Sequence, residues 1–217
     1  MRPVSISLAF ALLLLPIVTM AVAEPDYQVV RKLGAVEVRQ YAPYTVAEVL
    51  VAGPADAAGS QAFALLAGYI FGNNKGARQL DMSAAPAVAA PPLRMKMSAP
   101  VTQAAVNGGF TVQFVLPRGV TPASAPEPQD PQVRLRGMPA QQLAVIRFSG
   151  FWSESNYVEH LGTLMTVLRT ANLAWGGEPV YSRYNPPWTP WFLRRNEIWV
   201  SLRPHQEVES CGFPIPR

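Results

Sequence analysis

Leu143-Ala144-Val145-Ile146-Arg147-Phe148-Ser149-Gly150 decides the fold, because a strand pattern here ends in a glycine directly before a predicted helix. Residues 46–53, Val-Ala-Glu-Val-Leu-Val-Ala-Gly, have the same order and also precede a predicted helix. Residues 110–117 and 197–204 form a second matching pair of strand patterns. We therefore predict two similar α+β units whose strands join in one antiparallel sheet or open barrel, with both helices packed outside it. The seam between such halves is a natural place for a cleft.

The two predicted helices span about Ala55 to Phe71 and about Ser153 to Asn172. Gly72 favours an end to the first helix, and Ser153 or Ser155 can cap the start of the second. Each helix has one apolar face at helical spacing, which must be covered by the sheet or left open as a groove. The main residues of these faces are Phe63, Leu66 and Ile70 in the first helix and Tyr157, Leu161, Leu164, Met165 and Leu168 in the second.

The first 23 residues read as a secretory signal peptide. Arg2 precedes an apolar run from Leu8 to Val18, and Ala21-Val22-Ala23 supplies small residues at a cleavage site. The run is too short for a stable membrane anchor. We therefore expect cleavage after Ala23, a single domain over residues 24–217 with a Pro-rich C-terminal tail, and a periplasmic or secreted protein with no membrane insertion after signal removal.

The charge of the chain argues against nucleic-acid binding, and its cysteine content argues against a disulfide-stabilised fold. The chain has 18 Lys and Arg against 14 Asp and Glu, and residues 1–23 contribute only Arg2, so the remainder has a net charge of +3. This is too mild and too scattered to indicate nucleic-acid binding. Cys211 is the only cysteine, so no internal disulfide can form and stability must come from packing. The sequence leaves the oligomeric state open.

Residues 185–190 cannot form a helix or a central strand, because Pro186, Pro187 and Pro190 lack amide protons and fix their own φ angles. The resulting stiff loop is rich in aromatic residues and ends in paired cations. It could wall a pocket for a flat, apolar, anionic molecule, or its rings could cap one end of the core while its arginines are solvated. The residues concerned are Trp188, Trp191, Phe192, Arg194 and Arg195.

From Tyr27 to about Leu202 the chain resembles the SOUL heme-binding protein family. The similarity is carried by residues 69–75 (Tyr-Ile-Phe-Gly-Asn-Asn-Lys), 97–101 (Met-Ser-Ala-Pro-Val), 114–117 (Phe-Val-Leu-Pro), 148–150 (Phe-Ser-Gly), 184–187 (Tyr-Asn-Pro-Pro) and 194–199 (Arg-Arg-Asn-Glu-Ile-Trp). The resemblance implies a distorted antiparallel β-barrel flanked by two helices and built from a repeated unit. It also implies binding of heme or a related tetrapyrrole in a shallow apolar groove beside the first helix. The Ala/Pro-rich insertion at residues 84–92 departs from the family pattern.

With that resemblance, the sequence suggests a non-covalent heme site. Phe63, Leu66 and Ile70 would face Phe192 and Leu193 across an apolar groove, and Arg194 or Arg195 would pair with the propionates. The candidate iron ligands are the only two histidines, His160 and His205. Each is also explained without a metal, as a half-exposed helix histidine and a solvated loop histidine. Covalent attachment is excluded because the chain has no Cys-x-x-Cys-His motif.

Catalysis is not expected, because the sequence has neither a Gly-x-Ser-x-Gly nucleophile motif nor metal-site spacing. The expected function is therefore sequestration or transfer of a porphyrin. Two alternatives remain. The protein could bind or sense a non-heme hydrophobic ligand in the periplasm, or it could dock a partner chain through Trp188, Trp191 and Phe192.

Overall fold

The computed structural model describes residues 24–76, 93–95 and 100–203. Within them the chain forms nine β-strands, two α-helices and one short 3₁₀-helix, which is the predicted α+β class. In chain order these are β1 (Tyr27–Leu33), β2 (Val36–Tyr41), β3 (Tyr44–Val51), α1 (Ala55–Ile70), β4 (Val101–Val106), β5 (Gly109–Val115), β6 (Arg134–Met138), β7 (Gln141–Phe148), α2 (Glu154–Thr170), β8 (Trp175–Arg183), the 3₁₀-helix Trp191–Leu193 and β9 (Asn196–Leu202).

All nine strands join one antiparallel sheet in the order β1-β2-β7-β9-β8-β4-β5-β3-β6. The order is nearly symmetric about the β4–β8 ladder, because β7-β9-β8 on one side matches β3-β5-β4 on the other. The glycines that end the two equivalent strands, Gly53 and Gly150, have φ angles of 111° and 114°. Non-glycine residues rarely adopt this conformation. The predicted pair of pseudo-symmetric repeats is confirmed.

The sheet is open rather than closed, since β1 and β6 lie at the two ends of the strand order among the described residues. The term barrel therefore applies only loosely. Its two faces differ. We call the side covered by α1 and α2 the helix face and the opposite side the helix-free face.

Each helix covers its own half of the helix face. Leu66, Tyr69 and Ile70 of α1 are buried against β3 and β5, while Leu164 and Leu168 of α2 are buried against β2, β7 and β9. Burial of each large apolar side chain contributes roughly 1.5 to 3 kcal/mol. Because each half has its own core, the strands β4 and β8 lie between the two cores in the middle of the helix face.

The motif at residues 69–75 ends α1 and fixes the chain beyond it. The Asn74 side chain is fully buried. Its Nδ2 donates to the carbonyl oxygens of Tyr69 and Leu93 at 3.0 and 2.8 Å, and its Oδ1 accepts from the amides of Gly76 and Leu93. Four hydrogen bonds to one buried amide explain why the motif carries an asparagine at this position.

Several features of the sequence fall outside the described residues, namely the predicted signal peptide at 1–23, the insertion at 84–92, residues 97–99 of the Met-Ser-Ala-Pro-Val motif, the Pro-rich tail and His205. Among the described residues, no helix is both long and apolar enough to cross a membrane.

Candidate functional site: an aromatic groove at the seam

A groove of about 530 Å³ lies on the helix face over the β4–β8 seam. Its floor comes from both halves, with Gln103 and Phe110 from one side and Tyr181 and Arg183 from the other. The N-terminal part of α2 and the corner before it form one wall. The volume falls in the range typical of small-molecule sites. A cleft at the seam of the repeats is where the sequence predicted one.

Six of the described residues that line the groove are aromatic. Tyr157 of α2 and Tyr181 of β8 stack with their ring centroids 3.4 Å apart and their planes inclined by 24°. Burial raises the pKa of both phenols, so both side chains are neutral at physiological pH. The aromatic residues that line the groove are Phe110, Phe148, Phe151, Trp152, Tyr157 and Tyr181. Such a surface suits the face of a flat, apolar ring system.

Trp152 holds two cations at the groove. The guanidinium carbons of Arg183 and Arg194 lie 4.8 and 4.6 Å from its ring centroid, both within cation–π range. The indole Nε1 donates to Asn196 Oδ1 at 2.9 Å, which fixes the ring. A Cβ added at Gly59 of α1 would lie 3.8 Å from an Arg183 nitrogen, so Arg183 also lies near the first helix. Arg183 is the cation that lines the groove itself.

Two carboxylates, Glu154 and Glu178, also line the groove and are exposed to solvent. Glu154 is in the first turn of α2, where the helix dipole favours a negative charge. Ser153 caps the same turn by accepting from the Asn156 amide at 3.3 Å. The groove therefore combines an aromatic surface with one cation and two acids at its edge.

The predicted apolar site residues do not line the seam groove. Leu66 and Ile70 are buried in the α1 core, where they stabilise the fold and present no free surface. Phe63 is 44% exposed and packs edge-on against Phe114. Phe192 and Leu193 are exposed in the 3₁₀-helix, where Phe192 contacts Trp191 edge-on. None of the five is among the residues that line the seam groove.

The two adjacent arginines have separate roles. Arg194 donates from Nε to the Thr189 carbonyl at 2.8 Å and from Nη2 to the Pro187 carbonyl at 2.5 Å. These bonds hold together the loop of residues 184–195, which we call the Trp/Pro loop. Arg195 forms a bidentate pair with Glu24 at 2.6 and 3.0 Å and also donates to Glu197. Its guanidinium stacks 3.7 Å from the centroid of Tyr184. Arg195 is thus occupied by internal partners on the helix-free face.

Glu197 is the centre of this internal network. Its side chain has no exposed surface, and it accepts from Arg39, Arg195, Tyr184 Oη and Trp199 Nε1 at 2.7 to 3.0 Å. Burial alone would raise the pKa of Glu197, but the charges of Arg39 and Arg195 lower it below its usual value. Burial alone would likewise lower the pKa of Arg39, and Glu197 raises it. The network is a charged structural core.

His160 contacts the groove only indirectly. It stacks on Phe148 with a centroid separation of 4.2 Å, and its Nδ1 lies 2.6 Å from the Asn156 carbonyl oxygen. That contact requires a proton on Nδ1 and leaves Nε2 as the nitrogen with a free lone pair. Among the described residues that line the groove there is no histidine, methionine or cysteine. Nowhere in the described parts of the chain do three or more His, Cys, Asp or Glu form a metal-binding group.

Sequence reasoning missed most of the groove, including Trp152, Tyr181 and Arg183. One usable signal was present at the corner before α2, where Phe148, Phe151 and Trp152 lie within five positions of one another. A second was the alternation in β8, which places Tyr181 and Arg183 on one face of the sheet.

Solved structures share this fold at low sequence identity. The EcmrR C-terminal domain aligns with a TM-score of 0.55 and 10% identity over 82% of this chain and 98% of that domain. A structure described as a hydrolase from Listeria innocua aligns with a TM-score of 0.56 and 11% identity over 80% of this chain and 94% of its own. Identities this low show the fold alone. No curated protein matches the sequence.

The sequence itself gives a more specific result. A family model described as SOUL heme-binding protein matches residues 22–201, which includes both repeats, the seam groove and the Glu197 network. This match covers most of the chain and confirms the resemblance found in its motifs. The protein therefore belongs to the SOUL heme-binding protein family.

Proposed function

We propose that the protein binds a tetrapyrrole non-covalently in the seam groove and serves in its sequestration or transfer outside the cytoplasm. The observation that supports this best is the aromatic lining of a 530 Å³ groove in a chain of the SOUL heme-binding family. Phe110 from one half and Tyr181 with Tyr157 from the other would contact the faces of the ring. Export rests on the signal-peptide pattern of residues 1–23.

The groove offers contacts for a porphyrin ring but few ligands for its iron. Its aromatic walls supply apolar contact, and Arg183 supplies a cation for a propionate. In the part of the chain that the structure describes, the groove lining offers no imidazole, thioether or thiolate. The pKa values of the two tyrosines are raised, which disfavours phenolate ligands. We therefore propose that the porphyrin is held by its faces and carboxylates, and that His160 is not required for binding.

A hemin titration followed by the Soret band tests this proposal. The purified protein should give a saturable one-to-one shift. Ala105 is an exposed residue that lines the groove, so Ala105→Trp should fill it and weaken binding at least about ten-fold, or about 1.4 kcal/mol. Val106 lies next in β4 and is exposed outside the groove, so Val106→Trp is the matched control and should bind as the parent does. Equal hemin affinity in both variants would place the site elsewhere.

The His160→Ala variant distinguishes a porphyrin that is held by its faces from one whose iron is ligated by His160. If the porphyrin is held by its faces, the variant should keep the affinity and the Soret position of the parent. Loss of the shift in this variant alone would make His160 the axial ligand.

Glu154 and Glu178 favour a second candidate, a flat apolar ligand without carboxylates. Two acids against one lining cation give the groove edge a net negative charge, which disfavours a dianionic porphyrin. Comparing metal-free protoporphyrin with its dimethyl ester, which lacks free carboxylates, distinguishes the candidates. Tighter binding of the free acid supports the Arg183–propionate pair, and tighter binding of the ester supports the second candidate.

A further inference from the structure

An exposed apolar surface borders the mouth of the groove. We call it the aromatic lip, and its members are Phe151, Trp188, Trp191, Phe192 and Leu193. All five are exposed, with Trp188 83% and Leu193 64% accessible to solvent. Large rings and a leucine concentrated on one loop and its neighbour exceed the single scattered apolar residues of an ordinary surface. The lip therefore needs an explanation beyond folding.

The lip is physically continuous with the groove. Phe151 lines the groove and stacks on Trp191 with a centroid separation of 5.5 Å. Trp191 in turn contacts Phe192 edge-on at 5.5 Å, and the Gly150 amide donates to the Trp191 carbonyl at 3.0 Å. Whatever covers the lip therefore lies at the entrance to the ligand site.

Several backbone polar groups of the Trp/Pro loop are either missing or paired within the loop. Pro186, Pro187 and Pro190 have no amide proton, and the Thr189 and Leu193 amides donate to carbonyls within the loop at 3.0 and 2.9 Å. The side chain of Arg194 satisfies two further carbonyls. An apolar solvent strongly penalises an unsatisfied backbone group, so this pairing lowers the cost of moving the loop into one.

The positive charge of the Trp/Pro loop indicates what kind of apolar partner could cover the lip. Residues 184–195 contain two arginines and no acid. Arg195 is neutralised by Glu24 and Glu197, whereas the described partners of Arg194 are two carbonyl oxygens and the Trp152 ring, all uncharged. Arg194 therefore keeps a positive charge at the base of the lip. Tryptophan and arginine are the residues that anchor proteins at the interface of an anionic bilayer.

We propose that the aromatic lip docks on a bilayer that contains anionic phospholipids, with its rings at the interface and Arg194 at the level of the phosphates. The mouth of the groove then opens at the membrane surface, so that an apolar ligand can move between bilayer and groove without crossing water. Docking itself does not depend on which ligand the groove binds.

Vesicle binding tests the proposal. The purified protein should co-sediment with vesicles of phosphatidylcholine and phosphatidylglycerol, more weakly with phosphatidylcholine alone, and less as salt rises. Trp188→Ser/Trp191→Ser/Phe192→Ser should lower the affinity at least about ten-fold. The control Val29→Ser/Val30→Ser/Leu50→Ser removes exposed apolar residues outside the lip and should bind as the parent does. Lipid brominated on its acyl chains should quench the parent's tryptophan fluorescence.

Trp188→Ser alone keeps the test valid if the triple variant fails to fold, because a side chain this exposed contributes little to the core. It should reduce both vesicle affinity and quenching. Absence of vesicle binding by the parent, or equal binding by the lip and control variants, would overturn the proposal. So would a concentration-dependent self-association that the lip variant abolishes while vesicle binding is unchanged, since the lip would then cover a second copy. The hemin titration needs no vesicles, so failure of one proposal leaves the other standing.

Discussion

The two faces of the sheet around β8 use the same residue types for opposite purposes. On the helix face, Tyr181 and Arg183 border an open groove. On the helix-free face, Tyr184 and Arg195 enclose Glu197, and each of their polar groups has an internal partner. A cation fully paired inside the protein holds the fold together, whereas ligand recognition requires one with accessible surface. Residue type alone therefore does not identify a binding residue.

The largest loss of stability should follow from disrupting the Glu197 network on the helix-free face. Glu197→Gln removes the buried carboxylate that Arg39 and Arg195 share. Among the described residues, Arg39, whose side chain is 3% exposed, then keeps only Glu37 as an acidic partner, and Arg195 keeps only Glu24. Breaking a buried ion pair in this way costs about 3 to 5 kcal/mol. Urea unfolding should show a loss of that size, with little change for the exposed control Glu178→Gln. Equal stability of the two variants would contradict a structural role for the network.

Lowering the pH should remove the stability that Glu197 contributes on the helix-free face, and it should do so over a defined pH range. The pKa of Glu197 is below its usual value of 4.5 in the folded protein, so folding favours the ionised form. The stability it contributes is fully present above about pH 4.5 and is lost as the pH falls from there through the folded pKa. Unfolding free energies measured from pH 7 downward should show this loss in the parent. The Glu197→Gln variant should lack it, and parallel curves for the two would refute the assignment.

Substituting one arginine on each face should distinguish a residue that binds the ligand from one that stabilises the fold. Arg183→Ala should weaken hemin binding by about ten-fold, or 1.4 kcal/mol, with a smaller effect on the melting temperature. Arg195→Ala should lower the melting temperature while the folded protein keeps its hemin affinity. Fluorescence titration and thermal melts of both variants provide the comparison. The reverse pattern would move ligand recognition to the helix-free face.

The smallest effect is expected at the edge of the groove. Ser153→Ala removes the N-cap of α2 and should cost about 1 kcal/mol, since the Asn156 amide loses its partner. Ser153→Asp retains an acceptor and should preserve stability in the same denaturant titration. A loss in both variants would mean that the hydroxyl has a role other than capping.

The sequence predicted the architecture well because repeats and periodicity are local patterns. The strand ends at Gly53 and Gly150, the cap at Ser153 and the buried Leu164 of α2 all follow from spacing. The groove was less predictable, since Phe110 and Tyr181 are far apart in the chain and meet only through the β4–β8 register. The buried network around Glu197 was also hard to predict, because a fully buried carboxylate is rare and its partner Arg39 lies 158 residues away in the chain.

The β4–β8 ladder has a mechanical consequence. Among the described strands it is the sole ladder that joins the two halves, and it pairs only residues 101–104 with residues 180–183. The groove lies over this short joint, so a bound ring would touch both halves and act as a brace across it. Local opening of the joint would then become rarer, and its backbone amides would exchange their hydrogens more slowly. Hydrogen exchange at these eight residues would report occupancy of the groove even by a colourless ligand.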